Sequence, residues 1–315
     1  MSFQRRTQQP LKLMASVSSM LSAQQALRAT ADGVGLVRTE LLFAGSDEEP
    51  SVYAQATAYM RIAERFPGKP VILRTWDPAE DKVLQFLAAR PKLPDAGAWS
   101  WRGIRCYRNR PDVLDRQLGA FLQTAELSKA QVHVLAPMVA QIDEVAWFAE
   151  RARQRGILRV GVMVEVPALA LVISHILSMV DFVSIGLSDL SQFTFAASRA
   201  IPEMSDYLDP WQPAVLKLVD SVARSCAASD TPITICGVDG RSGALVAVLA
   251  GMGVHGVTLP ASRLAEVRQF MSRVSGELCR SAALTAVSCG SAGEAKTAAY
   301  AALRLHNGAG GQTLM

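Results

Sequence analysis

Residues 160–164 read VGVMV and run straight into Glu165, and residues 182–185 read FVSI and lead through Gly186 and Leu187 to Ser188 and Asp189. Each is a short apolar run closed by chemically loaded residues. Working outward, six more runs of the same kind appear. Leu11–Ser16, Gly33–Val37, Val71–Leu73 and Val132–Ala136 come before them, and Ile233–Ile235 and Gly256–Leu259 come after. Arg38, Arg74 and Cys236 follow three of these. The runs are rich in Val, Ile and Leu and do not alternate cleanly with polar residues. That is the pattern of parallel strands buried on both faces.

Helical stretches fill the gaps. Ala23–Ala31 follows the first run and Ser51–Arg65 the second. Pro111–Leu127 carries Asp112 in its first turn, which suits the helix dipole. Gln141–Arg155 opens on Asp143 and Glu144 and closes on Arg151, Arg153 and Arg155, the same polarity. Pro213–Ala228 has apolar residues at helical spacing, and Ser242–Ala250 stops at Gly251. Strand and helix in alternation give a parallel α/β sheet. Eight strands predict closure into a (β/α)8 TIM barrel over residues 11–274, with a doubly wound open sheet as the alternative. Such barrels take about 250 residues, and their strands deliver their C-terminal ends to one catalytic face.

Composition excludes several classes. The net charge of +4, from 32 basic and 28 acidic residues, is too mild to imply nucleic acid. No run approaches the roughly 20 apolar residues of a membrane span. The five cysteines, at 106, 226, 236, 279 and 289, are unevenly spaced and form no CxxC. Neither zinc nor a disulfide framework is indicated, and a reduced, cytoplasmic compartment is the simplest reading. Residues 1–10 read as a flexible lead rather than a signal peptide, and only ten residues precede the first strand, as expected of a stand-alone barrel. The loop from Trp76 to Trp101 is long enough to suggest function. Residues 275–315 are rich in Ala, Ser and Gly, with little to pack. A loose helix near Ala292–Leu305 and a frayed end are expected there.

Seven motifs occur in one order: GVGLVRTELLF (33–43), RTWDPAEDK (74–82), WRGIR (101–105), VMVEVPA (162–168), FVSIGLSDLSQFTFAASR (182–199), ICG (235–237) and LAGMGVHGVTLP (249–260). Together they resemble the phosphoenolpyruvate-binding barrel of Enzyme I of the bacterial sugar phosphotransferase system. Pyruvate phosphate dikinase and phosphoenolpyruvate synthase share that barrel. The resemblance covers about Leu11 to Met271. It implies that Arg38, Arg74 and Arg199 surround a substrate phosphate with Arg102 in the same site, that Glu165 and Asp189 hold Mg2+, and that Cys236 moves a proton at the methylene carbon of enolpyruvate. It also implies a homodimer.

The residue chemistry agrees. Phosphoenolpyruvate is a small trianion, and planar arginine forks suit both its phosphate and its carboxylate. Two hard carboxylates plus substrate oxygens suit Mg2+. Nearby arginines are expected to lower the thiol pKa of Cys236. The other cysteines, the arginines at 105, 108 and 110, and His133 read as structural.

Three departures from the family pattern stand out. GLSDL replaces GTNDL, so Ser188 stands where an asparagine touches phosphate and Leu187 where a threonine stands. AGAWSWR (96–102) replaces NPxxGxR, which brings in Trp99 and Trp101. Val238 takes the carboxylate position of CGE, with Asp239 next to it as partial compensation. The family's phosphohistidine and carrier-binding domains do not fit within 315 residues. Three functions follow. The first is a Mg2+-dependent phosphoenolpyruvate barrel working with a phosphohistidine domain on another chain. The second is a degenerate barrel acting as a dimerising scaffold or regulator. The third is a lyase on a pyruvate-like or phosphoenolpyruvate-like ligand.

Overall fold

The computed structural model describes residues 10–78, 84–87 and 102–303. The strands are β1 (Lys12–Val17), β2 (Val34–Arg38), β3 (Pro70–Arg74), β4 (Gln131–Ala136), β5 (Val160–Val164), β6 (Phe182–Gly186), β7 (Ile233–Cys236) and β8 (Gly256–Leu259). Each pairs in parallel with the next, and the barrel closes where Lys12–Ala15 of β1 lie against Gly256–Leu259 of β8. That closing pair rules out the open sheet. Every apolar run read from the sequence is a strand.

Helices cover the outside. α1 (Met20–Arg28), α2 (Thr39–Leu42) and α3 (Val52–Ala63) separate the first three strands. α4 (Ile104–Asn109) and α5 (Pro111–Leu127) lead into β4, and α6 (Ile142–Gln154) follows it. α7 (Pro167–Leu171) follows β5, α8 (Leu187–Phe195) and α9 (Pro213–Ala228) follow β6, and α10 (Gly243–Gly251) follows β7. α11 (Leu264–Met271), α12 (Gly276–Ser288) and α13 (Ala292–Ala302) come after β8. α1 starts three residues before the Ala23 expected from its apolar pattern. Its start is set by capping. The Ser22 N–H donates to Ser19 Oγ and the Ser19 N–H to Ser22 Oγ, which satisfies donors at both ends of the first turn.

Register decides what faces the site. A bulge in β2 between Val34 and Val37 brings Arg38 opposite Arg74, and Arg74 lies opposite Leu135 of β4. Leu36, Ile72, Leu135, Met163, Phe182 and Cys236 form an apolar cluster of their own, separate from the core between strands and helices. It fills the barrel interior, and the polar strand ends sit above it. His133, on β4, stacks against Phe182 with ring centroids 5.4 Å apart, as a structural residue would.

The segment after β8 departs from the expected tail. α10 reads GALVAVLAG, and Ala244–Leu249 are all buried. A helix apolar on all sides must be covered on all sides. α12 and α13 provide the cover and bury Cys279, Ala282, Ala283, Ala286, Ala295, Ala299 and Leu303. The composition of this segment predicts little to pack, yet small residues are what allow this close contact. Residues 1–9 of the expected 1–10 lead and residues 304–315 lie outside the described residues, as do most of the long loop and its Trp99 and Trp101.

A Cβ added at Gly251 would lie 2.0 Å from the Cys279 carbonyl oxygen, a backbone atom that cannot swing away. Gly251→Val is therefore expected to lower the unfolding free energy by about 2 kcal/mol or more, the usual range for overpacking. Urea unfolding followed by circular dichroism checks this. A variant as stable as the wild type would show that the α10–α12 contact is loose.

Candidate active site

The strand ends enclose a cavity of about 160 Å³ at the C-terminal mouth of the barrel. Arg38, Arg74, Arg102, Glu165, Ser188, Asp189, Arg199 and Cys236 all line it, together with Asp77 and Gly237. The residues picked out in sequence therefore converge. The space is well below the 300–1,000 Å³ of a drug-sized pocket and suits a small ligand.

The arginines are held by a chain of carboxylates. Arg38 Nε donates to Glu40 Oε1 at 3.3 Å, and Arg74 Nη2 donates to the same oxygen at 2.8 Å. Arg74 Nη1 lies 3.3 Å from Asp77 Oδ2. Arg102 grips Asp77 with two donors, at 3.1 and 2.6 Å, and donates to Asp189 Oδ1 at 3.2 Å. Arg199 Nη1 lies 4.0 Å from that oxygen. Burial by itself disfavours charge on Arg74 and Arg102. Glu40 and Asp77 around Arg74, and Asp77 and Asp189 around Arg102, more than offset it, so both guanidiniums stay firmly charged. The two end members differ, because the Arg38 and Arg199 side chains keep 32% and 49% of their surface exposed.

Glu40 and Asp77 were not singled out in sequence, although both lie inside quoted motifs. Nothing in VRTE or RTWD marks a carboxylate as the partner of a buried arginine. Behind them, Thr39 Oγ1 donates to the Arg74 carbonyl at 2.6 Å. The Trp76 N–H donates to Tyr107 Oη at 2.8 Å. Neutral groups thus fix the backbone on both sides of Arg74.

Glu165 is 1% exposed. Its Oε1 accepts the Met138 N–H at 2.6 Å. Its Oε2 lies where a Cβ on Gly186 would come within 2.7 Å, so the carboxylate rests directly on the β6 backbone. Burial first, then repulsion from Asp189 and Asp77, pushes its pKa up to about 8, against the pull of Arg74 and Arg102. Asp189, on α8, also accepts from Gln192 Nε2 at 2.9 Å.

Cys236 corrects an expectation. The thiol was expected to be acidified by arginines. It is instead pushed up to about 12, by burial first and by Glu165 second, with Arg74 opposing. It is 4% exposed and belongs to the apolar interior cluster, so it stays protonated at neutral pH. The next residue, Gly237, has φ +77, and a Cβ there would meet the Ser188 N and Oγ at 2.8 and 2.9 Å. That contact packs the β7 loop against the start of α8. Asp239 does not compensate for Val238. It is exposed and accepts from the Arg241 N–H at 2.9 Å. Arg110, read as structural, pairs with Asp112 on the surface at 3.0 Å.

The geometry defines a (β/α)8 barrel protein with an arginine-lined mouth. The family described as "PEP-utilising enzyme, PEP-binding domain" matches residues 3–275, and the chain belongs to it. It is 39% identical over 293 residues to a phosphoenolpyruvate-protein phosphotransferase of Streptomyces coelicolor, covering 92% of this chain and 52% of that protein. It is 29% identical over 297 residues to a multiphosphoryl transfer protein of Escherichia coli O157:H7, covering 90% of this chain and 35% of that protein. The chain thus spans about half or less of the curated relatives it matches. Among solved structures, the HpcH/HpaI aldolase from Desulfitobacterium hafniense aligns with a TM-score of 0.46 at 12% identity, covering 83% of this chain and 92% of that one.

The Glu165 carboxyl makes stability depend on pH. Its folded pKa of about 8 lies above the unfolded value, roughly 4.3, so the native state holds the extra proton between the two. Its contribution is complete below the unfolded value and is lost as pH rises through the folded one. His133, lowered to about 4, titrates below this range in the native state. The melting temperature of the ligand-free protein is expected to fall between pH 7 and 8.5, and Glu165→Gln is expected to flatten that slope. Calorimetry across the range reads both, and equal slopes in the two proteins would remove Glu165 as the cause.

Proposed function

We propose that the barrel binds phosphoenolpyruvate at its mouth. There it carries the half-reaction that moves a phosphoryl group between phosphoenolpyruvate and the histidine of a phosphohistidine domain outside these 315 residues, with pyruvate as the other product. The observation that carries this is the small cavity lined by four arginines from four segments of the chain. Family membership supports it, as does the similarity to the phosphoenolpyruvate-protein phosphotransferase of Streptomyces coelicolor.

The chain's residues divide the work. Arg74 and Arg102 are held rigidly by carboxylates, and Arg38 and Arg199 keep exposed donors at the rim. Their forks bind the phosphate and carboxylate of the ligand. When the histidine nitrogen attacks phosphorus, the P–O bond to the enol oxygen breaks and the enolate of pyruvate leaves. The charge on the phosphoryl oxygens stays within reach of arginine donors. The enolate carbon then takes the proton of Cys236 Sγ–H, and solvent returns a proton to the thiolate. A neutral thiol is the form this direction needs, and burial keeps it neutral.

Mg2+ fits the donor set. Glu165 and Asp189 offer two hard oxygens, and a buried carboxyl repelled by its neighbours gains from a cation. Among the described residues no group of three or more His, Cys, Asp or Glu is arranged to hold a metal. Mg2+ is commonly held by one or two carboxylates with waters and substrate phosphates. Bound there, it would neutralise charge on the transferring phosphoryl group. The reading includes a cytoplasmic setting, from the uneven cysteine spacing without a CxxC, and a second copy of the chain as partner.

A regulatory binding module is the second reading. Ser188 favours it, because serine reaches less far than asparagine and can lose one hydrogen bond to a charged oxygen. That loss typically costs about 1.5–3 kcal/mol.

Calorimetry with phosphoenolpyruvate is expected to show binding that Mg2+ strengthens. Arg199→Ala, at a half-exposed position, should weaken it without unfolding the barrel. Arg74→Ala should remove most of it, with circular dichroism as the folding control. In D2O, pyruvate should slowly exchange its methyl protons, and Cys236→Ala should slow this at least about 100-fold. No binding at millimolar phosphoenolpyruvate with Mg2+ would overturn the reading. Binding without any exchange would favour the regulatory module.

A further inference from the structure

Gln192 sits on α8, one turn after Asp189, and is 4% exposed. Its side chain uses both ends. Nε2 donates to Asp189 Oδ1 at 2.9 Å, and Oε1 accepts the Arg199 N–H at 2.9 Å. Its main chain is equally engaged. The Gln192 carbonyl accepts the N–H groups of Ala196, which ends the helix at φ +50, and of Ala197 at 3.0 Å. One residue therefore ends α8, fixes the turn after it, and ties the backbone of Arg199 to the carboxylate of Asp189.

We infer that Gln192 is a positioning residue that couples a cation held at Asp189 to an anion held at Arg199. This rests on the function proposed above. The Arg102 donor and the Gln192 donor both land on Oδ1 of Asp189, which leaves Oδ2 outside these two bonds. The carboxylate is thus held in one orientation by two donors. The Arg199 backbone is anchored while its guanidinium stays half exposed, 4.0 Å from the same Oδ1. A cation drawing on Asp189 competes with Arg102 and Arg199 for that carboxylate. It frees their donors for an anion only if the Arg199 arm remains in place, and Gln192 keeps it there. The rest of the arginine set does not depend on Gln192, because Arg38 and Arg74 are held by Glu40, and Arg74 and Arg102 by Asp77. The coupling is reciprocal and is read as the factor by which Mg2+ tightens phosphoenolpyruvate.

The test uses the full chain and two variants. Gln192→Met keeps the length of the side chain and loses both hydrogen bonds. Gln192→Glu keeps an oxygen for the Arg199 N–H. Calorimetry measures phosphoenolpyruvate affinity with and without Mg2+, and hydrogen exchange measures the Arg199 amide in the ligand-free protein. In Gln192→Met the Mg2+ enhancement should shrink at least about fivefold. Its Mg2+-free affinity should stay within about twofold, and Arg199 amide exchange should accelerate about tenfold or more. Gln192→Glu should keep the Arg199 amide protected. A purely structural role would lower the melting temperature and leave the enhancement factor intact, which would overturn the inference. So would unchanged Arg199 exchange in Gln192→Met. If the wild type binds phosphoenolpyruvate with no Mg2+ enhancement, the coupling is overturned while the proposed binding stands. If it binds none, the proposed function fails, and the exchange experiment separately decides whether Gln192 holds Arg199.

Discussion

Seven charged side chains form one alternating chain across the mouth of the barrel: Arg38, Glu40, Arg74, Asp77, Arg102, Asp189 and Arg199. An ion taken out of water carries a penalty of several kcal/mol unless an opposite charge meets it in good geometry. The middle of this chain is buried, so each arginine there needs a carboxylate, and each carboxylate needs an arginine. Alternation follows from that requirement. The members come from the end of β2, from α2, from the end of β3 and the residues just after it, from the segment before α4, and from α8 and the loop after it. The closed parallel barrel aims all of those segments at one spot. The chain is rigid in its middle and open at its two ends, where Arg38 and Arg199 meet solvent. A site of this kind positions donors before a ligand arrives, so less ordering is left to the moment of binding.

The fold was legible because buried parallel strands write themselves as short Val- and Ile-rich runs, and all eight were visible. Arg38 and Arg74 were legible because they stand just past those runs, where barrel geometry puts functional groups, whereas Arg102 and Arg199 were legible only through the motif resemblance. The carboxylates that hold them were not. Glu40 and Asp77 lie two and three residues beyond Arg38 and Arg74, at a spacing that also fits an ordinary surface residue. The thiol of Cys236 was misjudged for a related reason. Sequence shows which charges are near in the motif but not how much apolar surface surrounds them, and burial was the larger effect. The α12–α13 cover was missed because alanine carries a weak hydrophobic signal. What reveals its role is the wholly apolar α10 beneath it.

The three departures from the family pattern are not equivalent in space. Leu187 is 1% exposed and Val238 5%, and both belong to the hydrophobic core rather than to the cavity lining. These two changes bring apolar side chains into the packing behind the loops. Trp99 and Trp101 lie outside the described residues. Of the altered positions that the structure describes, Ser188 alone lines the cavity. Among the described residues, the case for a degenerate site therefore rests on one shortened donor. One neutral or charge-assisted hydrogen bond alters affinity by a factor that evolution or ligand concentration can accommodate. It does not dismantle an arginine cluster.

Charge balance ties the proposed ligand to the proposed cation. The four arginines of the mouth face Glu40, Asp77, Glu165 and Asp189, so with every group ionised the site is neutral. A trianion entering a neutral, half-desolvated site would meet carboxylates as well as guanidiniums. Two events relieve this. Glu165 can keep the proton that burial and its acidic neighbours already favour, or a divalent cation can take that proton's place between Glu165 and Asp189. A divalent cation held by Glu165 and Asp189 would supply twice the charge and would compete with Arg102 and Arg199 for Asp189, leaving their donors for the anion. With Glu165 protonated the site carries one net positive charge, and with a divalent cation seated and every carboxylate ionised it would carry two, so it would favour anions that arrive with a metal over bare anions. That selectivity follows from the placement of carboxylates around the arginines, not from the arginines alone.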